Sequence, residues 1–203
     1  MSNTKKKEWT KHNATARQEG KPFSVVVIGA SAGGFNAILD VADHLPIETN
    51  AAVFVVQHLS THSNIAYLVQ HLQQHTEFLC KIAIDHEEIK SGVLYFAPPG
   101  VHLILSGKKI IYGTGPEENK FKPSIDVLFR SAAVQYRERV IGIILSGLLE
   151  DGVAGMAAIK SCGGKCIVQD PAEAEYGELP VAVIDKVKPH YTLSTAAMGA
   201  CLQ

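Results

Sequence analysis

Residues 24–44 read SVVVIGASAGGFNAILDVADH, and this stretch decides the fold. The first part, 24–29, is rich in β-branched residues and too short for a helix, so it predicts a buried strand. The segment 33–44 then carries apolar residues at helical spacing, namely Phe35, Ile38, Leu39 and Ala42. A fully apolar strand that leads into an amphipathic helix is typical of a parallel α/β sheet.

The same alternation continues along the chain. Further buried strands are predicted at 51–57, 140–146 and 165–170. Further helices are predicted at 64–75, 125–137, 152–162, 180–186 and 195–202. Between them, the short apolar runs 93–100, 102–107 and 108–113 are punctuated by Gly and Pro, which indicates hairpins. The predicted fold class is α/β, a doubly wound, mainly parallel sheet with helices on both faces and an antiparallel edge hairpin.

The length of 203 residues fits one domain. Residues 1–22 are polar and Lys-rich and lack hydrophobic periodicity, so they predict a disordered basic arm. Residues 23–203 are then the folded domain.

Composition excludes several classes of protein. The formal net charge of −1 lacks the basic excess that a nucleic-acid binder needs. No run approaches about 18 apolar residues, so no membrane insertion is expected. The N-terminus lacks an apolar segment behind its lysines, which argues against a secretory signal. The four cysteines therefore indicate free thiols and a cytoplasmic location.

Ligands of open parallel sheets bind at the carboxyl ends of the strands. Directly after the first strand, residues 29–34 read GASAGG, which contains G-x-S-x-G between a strand and a helix. That context favours Ser31 as a nucleophile whose hydroxyl lies at the sheet edge, with helix N–H groups ready for an oxyanion. Two alternatives are a turn that binds phosphate and a turn that only connects the two elements. The dinucleotide spacing G-x-G-x-x-G is absent.

A nucleophilic serine needs a base and an orienting carboxylate. His58 directly follows the second strand, at the same sheet edge as Ser31, and is favoured over His62 as the base. It could also be an ordinary polar residue at a strand end. Asp151 and Asp170 each follow a later strand, and position favours Asp151. Either aspartate could instead be a helix cap or a turn residue.

Other candidate groups are explained more simply. His71 and His75 have i, i+4 spacing on a helix, but no H-E-x-x-H pattern and no third ligand accompany them, so we predict no metal site. Cys162 and Cys166 lack a nearby base and offer no rival nucleophile. Asp126 lies in the first turn of a predicted helix, where the helix dipole accounts for it.

Several motifs, in this order from about residue 24 to 200, resemble the catalytic domain of bacterial chemotaxis methylesterases. Because they are separate and in sequence, they are more specific than one G-x-S-x-G. They are VVVIGASAGG, VVQHL, GVLYFAPPGVHLIL, KPSIDVLFRSAA, IGIILSGLLEDGVAGM and GGKCIVQDPAEAEYGELPVAVI.

This resemblance implies a triad of Ser31, His58 and Asp151 within a methylesterase catalytic domain at 23–203. It implies hydrolysis of glutamate γ-methyl esters on a methylated chemoreceptor or similar signalling protein, with release of methanol. It also implies deamidation of certain protein glutamines. No cofactor is implied.

The chain departs from the family pattern at three places. Ala32 stands where a hydroxyl residue usually follows the nucleophile, and Leu149 replaces the second glycine of Gly-Met-Gly-x-Asp, which would alter that loop. Near the C-terminus, Glu-Leu-Pro at 178–180 replaces Gly-Met-Pro. We expect the oxyanion and substrate to be lined by Ala32, Gly33, Leu148 and Leu149. Since the triad is intact, altered preference or rate is expected. The alternative is a non-catalytic binding or regulatory domain of the same fold.

Family members commonly carry an N-terminal receiver domain that inhibits catalysis until it is phosphorylated. Only about 22 polar residues precede the domain here. We therefore expect constitutive activity or a regulator that acts in trans.

Overall fold

The structure, a computed structural model, describes residues 23–46, 49–59 and 63–202. The predicted arm 1–22 and His62 lie outside the described residues. The strands are β1 (Ser24–Ala30), β2 (Ala51–Gln57), β3 (Leu79–Ile82), β4 (Val93–Phe96), β5 (His102–Ser106), β6 (Lys109–Gly113), β7 (Val140–Ile144), β8 (Lys165–Gln169) and β9 (Tyr191–Leu193).

The helices lie close to their predicted positions. They are α1 (Gly34–Asp43), α2 (Ile65–Leu72), α3 (Ile125–Tyr136), α4 (Val153–Ser161), α5 (Glu178–Val187) and α6 (Thr195–Met198), with 3₁₀ turns at Arg137–Arg139 and Gly199–Leu202. None of the helices in the described ranges is long and apolar enough to cross a membrane.

The predicted fold class is confirmed. Seven parallel strands form one sheet in the order β3-β4-β2-β1-β7-β8-β9. The antiparallel pair β5–β6 forms a separate two-stranded sheet rather than an edge of the large one. Residues 93–96, placed in a hairpin by the sequence, are instead the parallel strand β4. They are apolar and buried throughout, as a strand with two neighbours must be.

The edge strands β3 and β9 were not predicted. Each is short, and its residues are half-buried or exposed, so neither gives the continuous apolar run that identifies a buried strand. Pairing to the sheet, and not local sequence, makes them strands.

Two apolar layers sandwich the sheet. Val25 and Val27 of β1 pack with α3, α4, α5 and the β5–β6 hairpin, whereas Val26 and Ile28 pack with α1, α2 and α6. Alternate residues of a strand point to opposite faces, so each face of β1 is covered.

The sheet topology brings three strand ends together. β1 pairs in parallel with β2 on one side and with β7 on the other. The chain after β1 builds one half of the sheet, and the chain from β7 builds the other half, so β1 and β7 flank the switch point. A ligand site is expected at the carboxyl edge there.

Close packing of α3 against α4 gives a test of the fold. A methyl group on Gly155 would lie 2.5 Å from Phe129 Cβ and 3.1 Å from Asp126 Oδ1. Although alanine has the better helix propensity, by about 1 kcal/mol, Gly155→Ala should lower the free energy of unfolding by about 1–3 kcal/mol through overpacking. Urea denaturation measures this.

The control is Ser161→Ala at the exposed end of the same helix. It should leave stability unchanged or raise it slightly, since no packed neighbour is displaced. A Gly155→Ala variant as stable as the wild type would contradict the packing argument.

Candidate active site

Ser31 lies in a tight turn between β1 and α1. The N–H of Gly34 donates to the Ser31 carbonyl at 3.0 Å, and Gly33 has a left-handed φ of 67°. A side chain at Gly33 would also collide with Glu175, whose Cβ lies 2.7 Å from the Cβ position. Glycine is therefore required for this turn, which projects Ser31 at the edge of the sheet as the motif predicts.

The structure brings the three predicted residues into one hydrogen-bonded series. His58 Nδ1 lies 3.1 Å from Ser31 Oγ, and His58 Nε2 lies 2.9 Å from Asp151 Oδ2. The N–H of His58 donates to the carbonyl of Ala30 at 3.0 Å, which holds the strand ends level.

The partners fix the tautomer of His58. A carboxylate only accepts hydrogen bonds, so Nε2 carries the proton and Nδ1 is left with a lone pair towards Ser31 Oγ. In the usual template for such triads, Nε2 faces the serine and Nδ1 faces the carboxylate. Relative to that template, the two ring nitrogens of His58 have exchanged partners.

Asp151 is 1% exposed, and its carboxylate is saturated with donors. They are His58 Nε2, Asn119 Nδ2, Ser124 Oγ and the backbone N–H groups of Ile125 and Asp126. Burial acts to raise the pKa of Asp151, but these hydrogen bonds outweigh burial, and the pKa lies below its ordinary value of 3.8. The group is therefore an anion that can orient and stabilise a protonated His58.

Asp126 and Asp151 cap each other's helices. Asp151, just before α4, accepts the N–H groups of Ile125 and Asp126 at the start of α3. Asp126, in the first turn of α3, accepts those of Gly152 and Gly155 at the start of α4, at 3.0 and 2.6 Å. The dipole of its own helix is therefore not the full explanation of Asp126. Burial raises the pKa of this carboxyl, and the nearby Asp151 charge acts in the same direction.

Two contributors come from the loop 114–123, which the sequence did not identify. Asn119 Nδ2 donates to Asp126 Oδ2 at 2.8 Å and to Asp151 Oδ1 at 2.9 Å, so it bridges the two carboxylates. The ring of Phe121 stacks on that of His58, with centroids 3.5 Å apart and planes at 7°. This stacking holds the imidazole ring in one plane and restricts its rotation about the side-chain bonds.

Gln57 is a third contributor that the sequence did not identify. It ends β2 and is buried, and its Nε2 donates to the carbonyls of Ser31 and His58 at 2.6 and 3.1 Å. It thereby ties the backbone of the serine turn to that of the histidine. The only sequence signal was its place directly before His58.

The segment 146–149 lies against the serine turn. The N–H of Ser31 donates to the carbonyl of Ser146 at 3.0 Å, and a side chain on Gly147 would lie 3.0 Å from Ser31 Cβ. Leu148 and Leu149 follow with 40% and 44% of their surface exposed. They directly follow the residue that contacts the serine turn, and their role as lining residues stays a prediction.

Leu149 occupies a conformation that favours glycine. Its φ is 64°, and its N–H donates to Glu178 Oε1 at 3.0 Å. For leucine the left-handed region costs roughly 1–2 kcal/mol. The departure from a family glycine at this position thus leaves a strained residue beside the site.

The competing candidates have structural roles or lie apart. Asp170 is exposed, and its Oδ1 accepts the N–H of Ala172 at 2.9 Å, as a turn residue does. His75 Nδ1 pairs with Asp43 Oδ2 at 2.9 Å. Burial raises the pKa of the Cys166 thiol to about 11, which makes it a poor nucleophile. Within the described ranges, no group of three His, Cys, Asp or Glu side chains could hold a metal ion.

Known proteins resemble this chain over nearly its whole described length. The sequence profile of the CheB methylesterase family matches residues 26–202. A putative protein-glutamate methylesterase/protein-glutamine glutaminase of Leptospira interrogans is 38% identical over 177 residues, which cover 85% of this chain and 89% of that protein. A protein-glutamate methylesterase/protein-glutamine glutaminase of Maricaulis maris is 31% identical over 189 residues, 91% of this chain and 47% of that protein.

A solved structure agrees with the fold. The crystal structure of the Thermotoga maritima CheB methylesterase catalytic domain has a TM-score of 0.84 to this chain and 29% sequence identity. The match covers 90% of this chain and 98% of that one. The family resemblance that the motifs indicate is thereby confirmed.

The lowered pKa of Asp151 gives a prediction on stability and pH. The folded carboxyl is more acidic than the unfolded one, so its ionised form stabilises the fold above pH 3.8, and this is lost as pH falls through the folded pKa. Asp151→Asn should therefore destabilise the protein more at about pH 7 than at about pH 3. Urea denaturation at both pH values measures the difference.

Asp170→Asn is the matched control, because asparagine keeps an oxygen for the Ala172 N–H. It should change the free energy of unfolding by less than about 0.5 kcal/mol at about pH 7. An Asp151→Asn deficit that is as large at the lower pH as at the higher one would refute the assignment.

The strain at Leu149 gives a second prediction. Leu149→Gly removes the left-handed penalty but adds unfolded-state freedom, so the free energy of unfolding should stay level or rise by up to about 1 kcal/mol. Leu148→Gly relieves no positive φ and should be the less stable of the two by about 1–2 kcal/mol. Equal stability of the two variants would show that Leu149 is not strained.

Proposed function

The chain belongs to the CheB methylesterase family, and we propose that it hydrolyses glutamate γ-methyl esters of chemoreceptor-type proteins with release of methanol. The single observation that carries this proposal is the series Ser31–His58–Asp151, hydrogen-bonded at 3.1 and 2.9 Å across adjacent strand ends. The names of the curated relatives add protein-glutamine glutaminase, which is the same chemistry on an amide.

The first half of the reaction forms an acyl-enzyme. Ser31 Oγ attacks the ester carbonyl carbon while its proton passes to His58 Nδ1, and the carbonyl π pair moves to oxygen. When the tetrahedral intermediate collapses, the C–OCH₃ bond breaks and His58 Nδ1 gives that proton to the leaving oxygen, forming methanol. Asp151 stays ionised throughout and stabilises the imidazolium.

The second half uses the same groups on water. A water molecule gives a proton to His58 Nδ1 as its oxygen attacks the acyl carbon. The C–Oγ bond then breaks, Ser31 Oγ recovers the proton, and a glutamate carboxyl group is released. With a glutamine substrate, the first leaving group is ammonia and every other step is the same.

Three backbone N–H groups are suited to hold the oxyanion. Those of Ala32, Gly33 and Leu148 donate no hydrogen bond within the part of the chain that the structure describes. Ala32 and Gly33 follow Ser31 directly, and Leu148 follows Gly147, which lies against Ser31. The N–H of Leu149 is already taken by Glu178, so this residue lines the site through its side chain only. Free, preorganised donors of this kind stabilise charge that develops in the transition state.

The surroundings favour a neutral, partly apolar substrate side chain. Leu148 and Leu149 present exposed apolar surface on the segment that follows Gly147, which lies against Ser31, and this surface is suited to the methylenes and methyl group of the ester. The Glu175 carboxyl lies against Gly33, where its negative charge opposes an anionic product more than a neutral ester.

The free thiols of Cys80, Cys162, Cys166 and Cys201 support the expected cytoplasmic location.

Replacement of the nucleophile tests the proposal directly. Ser31→Ala should lower kcat for methanol release from a γ-methylated receptor fragment by at least about 10⁴-fold. Gas chromatography of methanol measures the rate. A fluorophosphonate probe should label Ser31 in the folded wild type and fail to label the variant.

Ser161→Ala, an exposed serine on α4, is the control and should keep both the rate and the labelling. Equal methanol release by the wild type and Ser31→Ala would end the proposal. Absence of labelling in folded wild type would favour the non-catalytic alternative.

A further inference from the structure

The loop 114–123 carries Asn119 and Phe121, so its conformation sets the surroundings of both His58 and Asp151. It starts after β6 and leads directly into Ser124, the residue that caps α3. Its middle is a tight turn in which Glu118 and Phe121 exchange backbone hydrogen bonds at 3.1 and 3.0 Å. What joins its two ends therefore bears on the geometry of the site.

His102, the first residue of β5, makes that connection. Its side chain is buried at 4% exposure between the start and the end of the loop. His102 Nε2 lies 2.8 Å from the carbonyl oxygen of Pro116, and the N–H of Ser124 donates to His102 Nδ1 at 3.2 Å. One imidazole ring thus holds both ends of the loop.

These two partners leave one protonation state for His102. A carbonyl only accepts and a backbone N–H only donates, so Nε2 carries the proton and Nδ1 has the lone pair. A proton on Nδ1 would face the N–H of Ser124 and break that bond. Since both nitrogens are occupied within the protein, His102 is free neither to bind a ligand nor to exchange a proton with substrate.

We propose that His102 is a positioning residue for the reaction, a neutral side chain whose two hydrogen bonds hold Ser124 in place against Asp151. The proposal rests on the proposed function of the Ser31 site. Ser124 Oγ donates to Asp151 Oδ1 at 2.8 Å and also accepts the N–H of Val127, so its orientation is fixed once its backbone is fixed. His102 fixes that backbone.

A second set of hydrogen bonds also connects the two ends of the loop. Lys122 Nζ donates to the carbonyls of Thr114 and Gly115 at 3.2 and 2.7 Å, on the exposed side. It can keep the loop closed without His102, but within the described ranges its ammonium group makes no hydrogen bond to Ser124. Loss of His102 should therefore spare the fold and disturb mainly the carboxylate.

Two conservative substitutions separate the two bonds of the ring. In His102→Asn, the amide oxygen takes the place of Nδ1 and still accepts the Ser124 N–H. In His102→Gln, the amide reaches the place of Nε2 and can serve Pro116, but no acceptor faces Ser124. We expect kcat for methanol release to fall about tenfold in His102→Gln and to stay within about threefold of wild type in His102→Asn.

KM should be unchanged in both variants, because His102 lies behind the carboxylate and away from the substrate. Equal kcat losses in the two variants, or a wild-type kcat in folded His102→Gln, would overturn the proposal. If Ser31→Ala is as active as the wild type, the proposed function fails instead, which is a different result.

A spectroscopic measurement decides the matter independently of substrate. The proton on His58 Nε2, held by Asp151, should give the same low-field NMR resonance in the wild type and His102→Asn. In His102→Gln it should shift or be lost to solvent exchange. A changed resonance in His102→Asn contradicts the proposal even if His102→Gln does not fold.

Discussion

The burial of the Asp151 carboxylate is the constraint on which the site depends. A carboxylate with 1% exposure is stable only where donors replace water, and here they come from the start of one helix, a loop and the histidine. The reciprocal capping by Asp126 makes α3 and α4 begin at the same place. Their axes then approach so closely that Gly155 has no room for a side chain. The hydrogen bonds that hold the catalytic carboxylate therefore also fix how α3 packs against α4.

Local sequence was sufficient for the parts of the molecule that repeat. Apolar runs of strand length and helical spacing identified the central strands and the helices. Because parallel strands end at one edge, the same argument placed Ser31 and His58 at that edge and favoured Asp151 narrowly over Asp170, and the family resemblance then implied the three together. The edge strands β3 and β9 lack such runs and form only by pairing with the sheet. Their absence from the prediction reflects a tertiary cause.

The residues that support the triad could not be predicted from the sequence, for the same physical reason. Asn119 and Phe121 lie in the loop 114–123, which has no periodicity to reveal them, and His102 lies in a strand. The partners of all three on which the site depends are distant in sequence. Asp126 is instructive because a local explanation was available. In the sequence, the dipole of its own helix was enough to explain Asp126. In the structure, its carboxylate accepts N–H groups at the start of the neighbouring helix α4. A sufficient local reason does not exclude a stronger tertiary one.

The exchanged orientation of the His58 ring has a chemical consequence. The nitrogen with the available lone pair is Nδ1, the one next to the Cβ-bearing carbon of the ring. An electrophilic affinity label anchored on Ser31, such as a halomethyl ketone, meets that nitrogen first, because Nε2 is committed to Asp151. Acid hydrolysis of the labelled protein would then yield the Nδ1-alkyl histidine, a different isomer from the Nε2 adduct of triads with the usual ring orientation.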